Sequence, residues 1–419
     1  MDFLRSKGHP IPKVHTYSFT SENEAGIPSM VMEYVSEGIE LSQIWFHLEE
    51  DGIISLMDQP AKLEFTMMPI AFPAGGSIYY IRDLKELSGK EGIPLNEQIE
   101  SASLEKERFC LGPDVSVPLW YGRREQLDAF RGPYEDAESV LTTGAKKELA
   151  YLDYFGPPRK PYRRFRREFY NYEKQSPSEH AKNLRHCLHL PPSLVPDDEL
   201  VNIFRIRHPD LTDSHTWQHA AVLLLFLHAG MPSAIQNEED EVSQRMIKPK
   251  LPGDFGKLSE EDQKQETEHL RRRLLHYHYI LSTAAHNRIP HNGLIYPLNH
   301  FRRRIFNHAT AVWEGETIDL LYALMDMVSG WAHSGKDGTP CPVVFTEDER
   351  DAAENPYQAL ANAEVDERML RESAIGQELK RMTSKANAEN EETTEEECVM
   401  IEASWPLDNV PEEELEECK

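Results

Sequence analysis

Arg207–His219 reads RHPDLTDSHTWQH, and more of the fold turns on it than on any other stretch. Two side chains with acid–base chemistry, His208 and Asp210, open it, and Pro209 between them restricts the backbone. The segment is entered from DELVNIFRIR (198–207), which reads as a strand or helix end. It leaves into AAVLLLFL (Ala220–Leu227), closed by His228 and Gly230. That run suits a buried helix or strand, since a bilayer span needs about 20 apolar residues. His215 and His219 stand at i, i+4, the spacing of paired zinc ligands on a helix. A zinc protease also needs Glu directly after the first histidine, where Thr216 stands, and no third ligand is evident. Packing or hydrogen bonding is the expected role of this pair.

Working outward, the chain has 419 residues, enough for two lobes with real cores. Its formal net charge is −27. Such an acidic chain repels nucleic acid and anionic membrane surfaces, so neither is an expected partner. The five cysteines (Cys110, Cys187, Cys341, Cys398, Cys418) are scattered and include no CxxC pair, which predicts reduced thiols in an intracellular compartment. No membrane span and no targeting presequence is visible in the sequence. His186, Cys187 and His189 lack a second cluster to complete a zinc site.

Before the central segment, Phe3 and Leu4 are expected in a short helix ended by Gly8 and Pro10. IPKVHTYSF and PSMVMEYV, joined by SENEAG, predict a strand pair within 11–35. Leu41, Ile44, Trp45 and Leu48 predict a helix broken at Asp51–Gly52, and Pro60 is expected to kink or split the next one. Residues 75–135 read as loop-rich, and 142–156 as helical. Residues 157–192 are Pro-rich and basic around RKPYRRFRRE. Beyond it, Leu270, Leu274, Tyr277, Leu281 and Ala284 predict one face of a long helix over 260–287. Ile318, Leu321, Met325, Val328 and Trp331 predict another over 317–332. His276 and His278 beside Tyr277 read as buried, satisfied side chains. Residues 347–419 carry 23 acids against 7 bases, a composition that stays solvated. Within it 386–419 is expected to be disordered, with VMIEASW as a short docking motif.

His208-Pro209-Asp210-Leu211 matches the start of the H-x-D-L-x-x-x-N motif of kinase-fold phosphotransferases. IPKVHTYS and PSMVMEYVSEGIELSQIW then resemble the strand, hinge and following helix of the fungal aminoglycoside-phosphotransferase-like family, including its "altered inheritance of mitochondria" branch. GSIYY, FCLGPDVSVPLWYGRR, RGPY and KKELAYL resemble that family's insert and middle helices. WQHAAVLLLFLHAGMP, LRRRLLHYHY and CPVVF resemble its C-terminal lobe. The ordered set covers roughly residues 3–346.

The resemblance implies an α+β, truncated protein-kinase-like fold. Residues 1–35 would be a remnant of the N-lobe and hinge, 36–346 a mainly helical C-lobe with an insert at about 75–135, and 347–419 the acidic tail. It implies ATP with Mg²⁺ as cofactor and a hydroxyl-bearing small molecule or protein as acceptor. Asp210 would be the base that positions the hydroxyl, with His208 as motif support. Glu33, Tyr34 and Val35 would be the adenine-contacting hinge, recognising the base through backbone groups.

The departures from the pattern carry equal weight. No Gly-rich phosphate loop or phosphate-pairing Lys precedes the strand pair. Five residues past Asp210, where the metal-binding Asn belongs, stands His215, and Thr216 replaces the second metal-binding Asp. Only six residues (211–216) separate Asp210 from Trp217, too few for two hairpin strands and a turn at about 3.3 Å per residue. Each lost stabilising group costs about 10²–10³ in rate, so the expectation is a chain impaired in ATP-dependent catalysis. Genuine loss and a mis-spliced message both account for the gaps. The alternative function is a non-catalytic pseudokinase acting as an interaction protein, mitochondrial by family analogy or cytoplasmic. The basic run Arg159–Arg167 is expected to be solvated or paired with the chain's own acidic tail. Truncation after residue 385 would then increase anion binding.

Overall fold

Among the described residues, seven short strands fall into three small antiparallel sheets among many helices, an α+β arrangement that is helical in the main. This computed structural model describes residues 1–35, 44–95, 108–207, 220–232, 235–237, 240–333 and 340–372. The chain divides into two compact units that interleave in sequence. The first holds Met1–Leu119, Phe130–Thr143 and Pro191–Arg303; the second holds Trp120–Ala129, Gly144–Leu190 and Arg304–Lys419.

In the first unit, helix Asp2–Ser6 buries Phe3 and Leu4 and ends before Gly8, whose φ of 87° suits only a glycine. Strands β1 (Val14–Ser18) and β2 (Ser29–Met32) pair antiparallel, as the alternation predicts. Asn23 builds their turn: its Nδ2 donates to the Thr20 and Ile27 carbonyls, each at 2.7 Å, and Gly26 supplies the positive φ.

Helix Glu50–Met67 corrects two expectations. Asp51 and Gly52 lie inside it, because Glu50 and Asp51 favour the positive end of the helix dipole. It also runs unbroken through Pro60. Burial of Ile53, Met57, Ala61 and Met67 along one face outweighs a proline cost of about 3 kcal/mol. Its partner is helix Glu260–His286, capped by Ser259, whose Oγ accepts from the Asp262 N–H at 3.2 Å. Ile53, Met57, Met231, Ile235, Leu274, Leu275 and Tyr279 form the shared core. The buried stripe of the long helix is displaced from the predicted one. Leu275 and Tyr279 are 1% exposed, whereas Leu281 is 44% exposed. His276 and His278 are buried as expected, but Tyr277, expected to be buried with them, is only partly so.

Residues 75–135 hold more structure than the loop-rich expectation. Strands β3 (Ser77–Tyr80), β4 (Ile93–Pro94) and β5 (Phe109–Gly112) form a sheet in the order β3-β5-β4. Strands β6 (Phe204–Arg207) and β7 (Ala221–Leu224) form a third sheet. All four β7 residues are buried, followed by the buried turn of helix Leu225–His228.

In the second unit Glu148 is fully buried. It accepts from Arg124 Nε at 2.7 Å, Lys147 Nζ at 2.7 Å and the Trp313 backbone N–H at 2.8 Å. Burial opposes its ionisation, but Arg124 and Lys147 override that and bring its pKa down to about 2. Helix Ile318–Gly330 forms close to where the periodicity predicts it. Helix Glu347–Glu372 occupies the first part of the stretch expected to be a largely disordered tail. Thr346 and Glu349 explain the difference by forming a reciprocal capping box (Thr346 N to Glu349 Oε2, 2.9 Å; Glu349 N to Thr346 Oγ1, 3.2 Å), and Ala353 and Leu360 become buried. Residues 386–419, VMIEASW among them, lie outside the described residues.

Candidate functional site

Strands β6 and β7 bring the two ends of the central segment together. Their register sets Arg207 opposite Ala221 and Ile206 opposite Val222. His208, Asp210, His215, Thr216 and His219 lie between them and outside the described residues. The structure therefore places the frame of the candidate catalytic segment and not its side chains.

A glycine pair ties this frame to the β3 sheet. Gly76 N donates to the Val222 carbonyl at 2.8 Å, and Val222 N donates back to Gly76 at 2.9 Å. Gly75 bridges to Tyr134 in the same way, at 2.8 and 2.9 Å. A methyl group on Gly75 would meet Val222 O at 2.9 Å, and one on Gly76 would meet Gly112 O at 2.3 Å. Only residues without a side chain allow three backbone segments to approach this closely.

Beside the junction is a cavity of about 200 Å³. Ile206, Ala221 and Val222 line it from the strand pair, Ser77 and Tyr80 from β3, and Phe3 from the first helix. Phe3, Tyr80 and Phe109 of the lining form an aromatic ladder, which Tyr17 extends outside the cavity. Phe3 packs edge-on to Phe109 (5.5 Å between centroids), Phe109 stacks on Tyr80 (5.1 Å), and Tyr80 stacks on Tyr17 (6.1 Å). The Arg82 and Arg108 guanidinium groups sit 5.3 and 5.2 Å from the Tyr80 ring. Asp2 at the rim accepts from the Tyr80 hydroxyl at 2.5 Å and from Arg108. Burial, and then the bond to Asp2, push the Tyr80 phenol up to about 12, so it stays a donor at neutral pH. Just past the end of β5, Asp114 is 4% exposed. Its Oδ1 accepts from Ser116 N at 2.8 Å and Ser116 Oγ at 2.5 Å. Burial raises its pKa and those hydrogen bonds oppose the rise. Among the described residues, the polar side chains lining the cavity are Asp2, Ser77, Tyr79 and Tyr80, a set suited to holding a small polar-edged molecule.

The residues expected as a hinge follow β2 and lie apart from this lining. Glu33 Oε2 accepts from the Lys13 backbone N–H at 2.9 Å, and Glu33 N donates to Lys13 O at 2.7 Å. The Lys13 hydrogen bond first, aided by Arg5, holds the Glu33 carboxyl below its ordinary pKa. Glu33 thus closes the hairpin, while Tyr34 is 87% exposed. None of Glu33, Tyr34 and Val35 lines the cavity. The sequence segments GSIYY and LGPDVS point to this region, but Tyr80, Asp114 and the Gly75–Gly76 junction carry no spacing signal that singles them out.

Among the described residues, the cluster of His186, Cys187 and His189 gains no further metal ligand, and His215 and His219 lie outside them. His186 packs edge-on to Phe345 at 5.6 Å, and burial pushes the Cys187 thiol up to about 12. Among the described residues no group of three His, Cys, Asp or Glu side chains is placed to hold a metal, and no helix is long and apolar enough to cross a membrane.

The chain is similar to a subtelomeric hrmA-associated cluster protein of Aspergillus fumigatus, with 28% identity over 397 residues covering 84% of this chain and 74% of that protein. It is also similar to proteins named altered inheritance of mitochondria protein 9, mitochondrial. The Kluyveromyces lactis protein is 32% identical over 132 residues (29% of this chain, 20% of that protein). The Saccharomyces cerevisiae protein is 29% identical over 149 residues (32% and 23%). No protein-family model and no solved structure matches the chain. Over about a third of its length the sequence is thus similar to proteins of the altered inheritance of mitochondria branch.

Proposed function

We propose that this chain is phosphotransferase-like, of the lineage that moves a phosphoryl group from ATP to a hydroxyl acceptor, and that it is impaired in that chemistry. One observation carries the proposal. The strands flanking the segment of His208 and Asp210 are in antiparallel register at Arg207 and Ala221, beside a cavity. Asp210 falls in the sequence between them, and only six residues, 211–216, separate it from Trp217, too few for a further metal-positioning hairpin. With His215 and Thr216 at the expected ligand positions, Mg²⁺ would lack two of its protein ligands, and charge developing on the phosphoryl group would go unneutralised.

The test is thermal unfolding of the full chain titrated with Mg·ATP. A site occupied to 100 times its dissociation constant adds about 2.7 kcal/mol of stability, readily seen as a rise in Tm. The expected result is no rise at millimolar nucleotide. A saturable rise accompanied by ATP turnover that Asp210→Ala abolishes would overturn the proposal.

The second reading is a non-catalytic interaction protein associated with mitochondria. It is favoured by the relatives that are named mitochondrial. Fractionation of cells expressing the tagged chain tests it: recovery outside the mitochondrial fraction removes its support.

A further inference from the structure

The basic run and the acidic helix, both in the second unit, are engaged with one another. Arg163 Nη1 contacts Glu364 Oε1 at 2.5 Å, and Arg166 reaches the other Glu364 oxygen at 3.3 Å. Arg166 also pairs with Glu316 and, at 2.8 Å, with Asp319. Nearer the start of the acidic helix, Lys182 holds Glu349 at 3.2 Å. Between these points Arg304 Nη2 donates to the Tyr357 hydroxyl at 3.0 Å, Tyr357 stacks on Tyr322 at 3.6 Å, and Arg350 donates to Ser329 Oγ at 2.7 Å. Against this, the buried apolar side chains among those described in the helix are Ala353 and Leu360. A helix anchored by two small-to-medium apolar groups and a row of half-exposed ion pairs is held differently from an oily helix seam. Exposed pairs are individually weak, and salt screens them.

We infer that helix Glu347–Glu372 is a releasable strap: an electrostatic clasp laid over the basic segment Arg163–Arg167, whose release frees Arg163 and Lys182 for an anionic partner. The shielding carboxylates described, Glu349 and Glu364, lie ahead of residue 385. A truncation there would leave the clasp in place, contrary to the expectation from charge composition alone.

Hydrogen exchange on the full chain tests the strap. Amides of 347–364 are compared with those of helix Ile318–Gly330 at 0.05 and 0.5 M NaCl, in the native chain and in Glu349→Gln/Glu364→Gln. Glutamine keeps the capping box but removes the charge. Two exposed pairs together set an expected acceleration of about 3- to 10-fold in 347–364, from salt or from the double substitution, with the reference helix unchanged. Exchange in 347–364 that follows the reference helix under every condition would overturn the inference. So would acceleration by salt with none from the double substitution, because those ion pairs would then not carry the docking.

Discussion

Gly76 has a φ of 131° and its α-carbon faces the Gly112 carbonyl, so a side chain there faces both backbone strain and a clash with main-chain oxygen. Gly89 also has positive φ, 64°, but open space around it. The two positions therefore separate strain from crowding. Gly76→Ala is expected to cost about 3 kcal/mol or more and Gly89→Ala about 1 kcal/mol, read as shifts of the urea midpoint. Equal losses at both would show that the close approach of β3, β5 and β7 contributes nothing. Asp210 and His208 stand out in the sequence because they sit in a short spacing motif, and they lie outside the described residues. The cavity wall does not stand out, because Phe3, Tyr80 and Phe109 are far apart in sequence and only pairing of β3 with β5 stacks two of them.

At the scale of the element, the long helix Glu260–His286 shows where periodicity succeeds and where it slips. Its existence follows from the Ser259 cap and the apolar repeat. Which stripe is buried depends on the partner helix Glu50–Met67, and that partner places Leu275 and Tyr279 inward and Leu281 outward. Leu275→Ala should lower stability by about 2–5 kcal/mol, the range for a buried leucine, and Leu281→Ala by about 0.5 kcal/mol. The reverse order in chemical denaturation would mean the face is assigned wrongly. Pro60 teaches the same lesson: a local rule gives way when the rest of a helix face is buried.

For the whole molecule, buried titratable groups in the second unit tie stability to pH. His180 is 5% exposed, with Nδ1 2.9 Å from Thr317 Oγ1. Burial, against an opposing pull from Glu148, lowers its pKa from 6.5 to about 4. The unfolded chain therefore binds a proton that the folded chain refuses, and stability falls as pH drops from about 6.5 to about 4, by up to about 3 kcal/mol. Glu148 acts in a lower window: its contribution is present above its ordinary pKa of 4.5 and is lost as pH falls through about 2. His308, also lowered by burial, adds to the first effect. His180→Asn should flatten the dependence of Tm on pH between 6.5 and 4 while leaving the loss at lower pH; an unaltered slope would remove His180 as its source.

By itself, the amino-acid order determined the first strand pair and the helices over 260–286 and 318–330. Each is written in contacts between near neighbours, where spacing and turn chemistry suffice. Tertiary structure alone decided that β6 pairs with β7 in a register closing that segment, that Glu33 belongs to the hairpin, and that acidic residues 347–372 form a helix docked on basic ones. Those outcomes depend on burial and on charges brought together from distant parts of the chain, and no local pattern encodes the balance between desolvation and pairing that settles them.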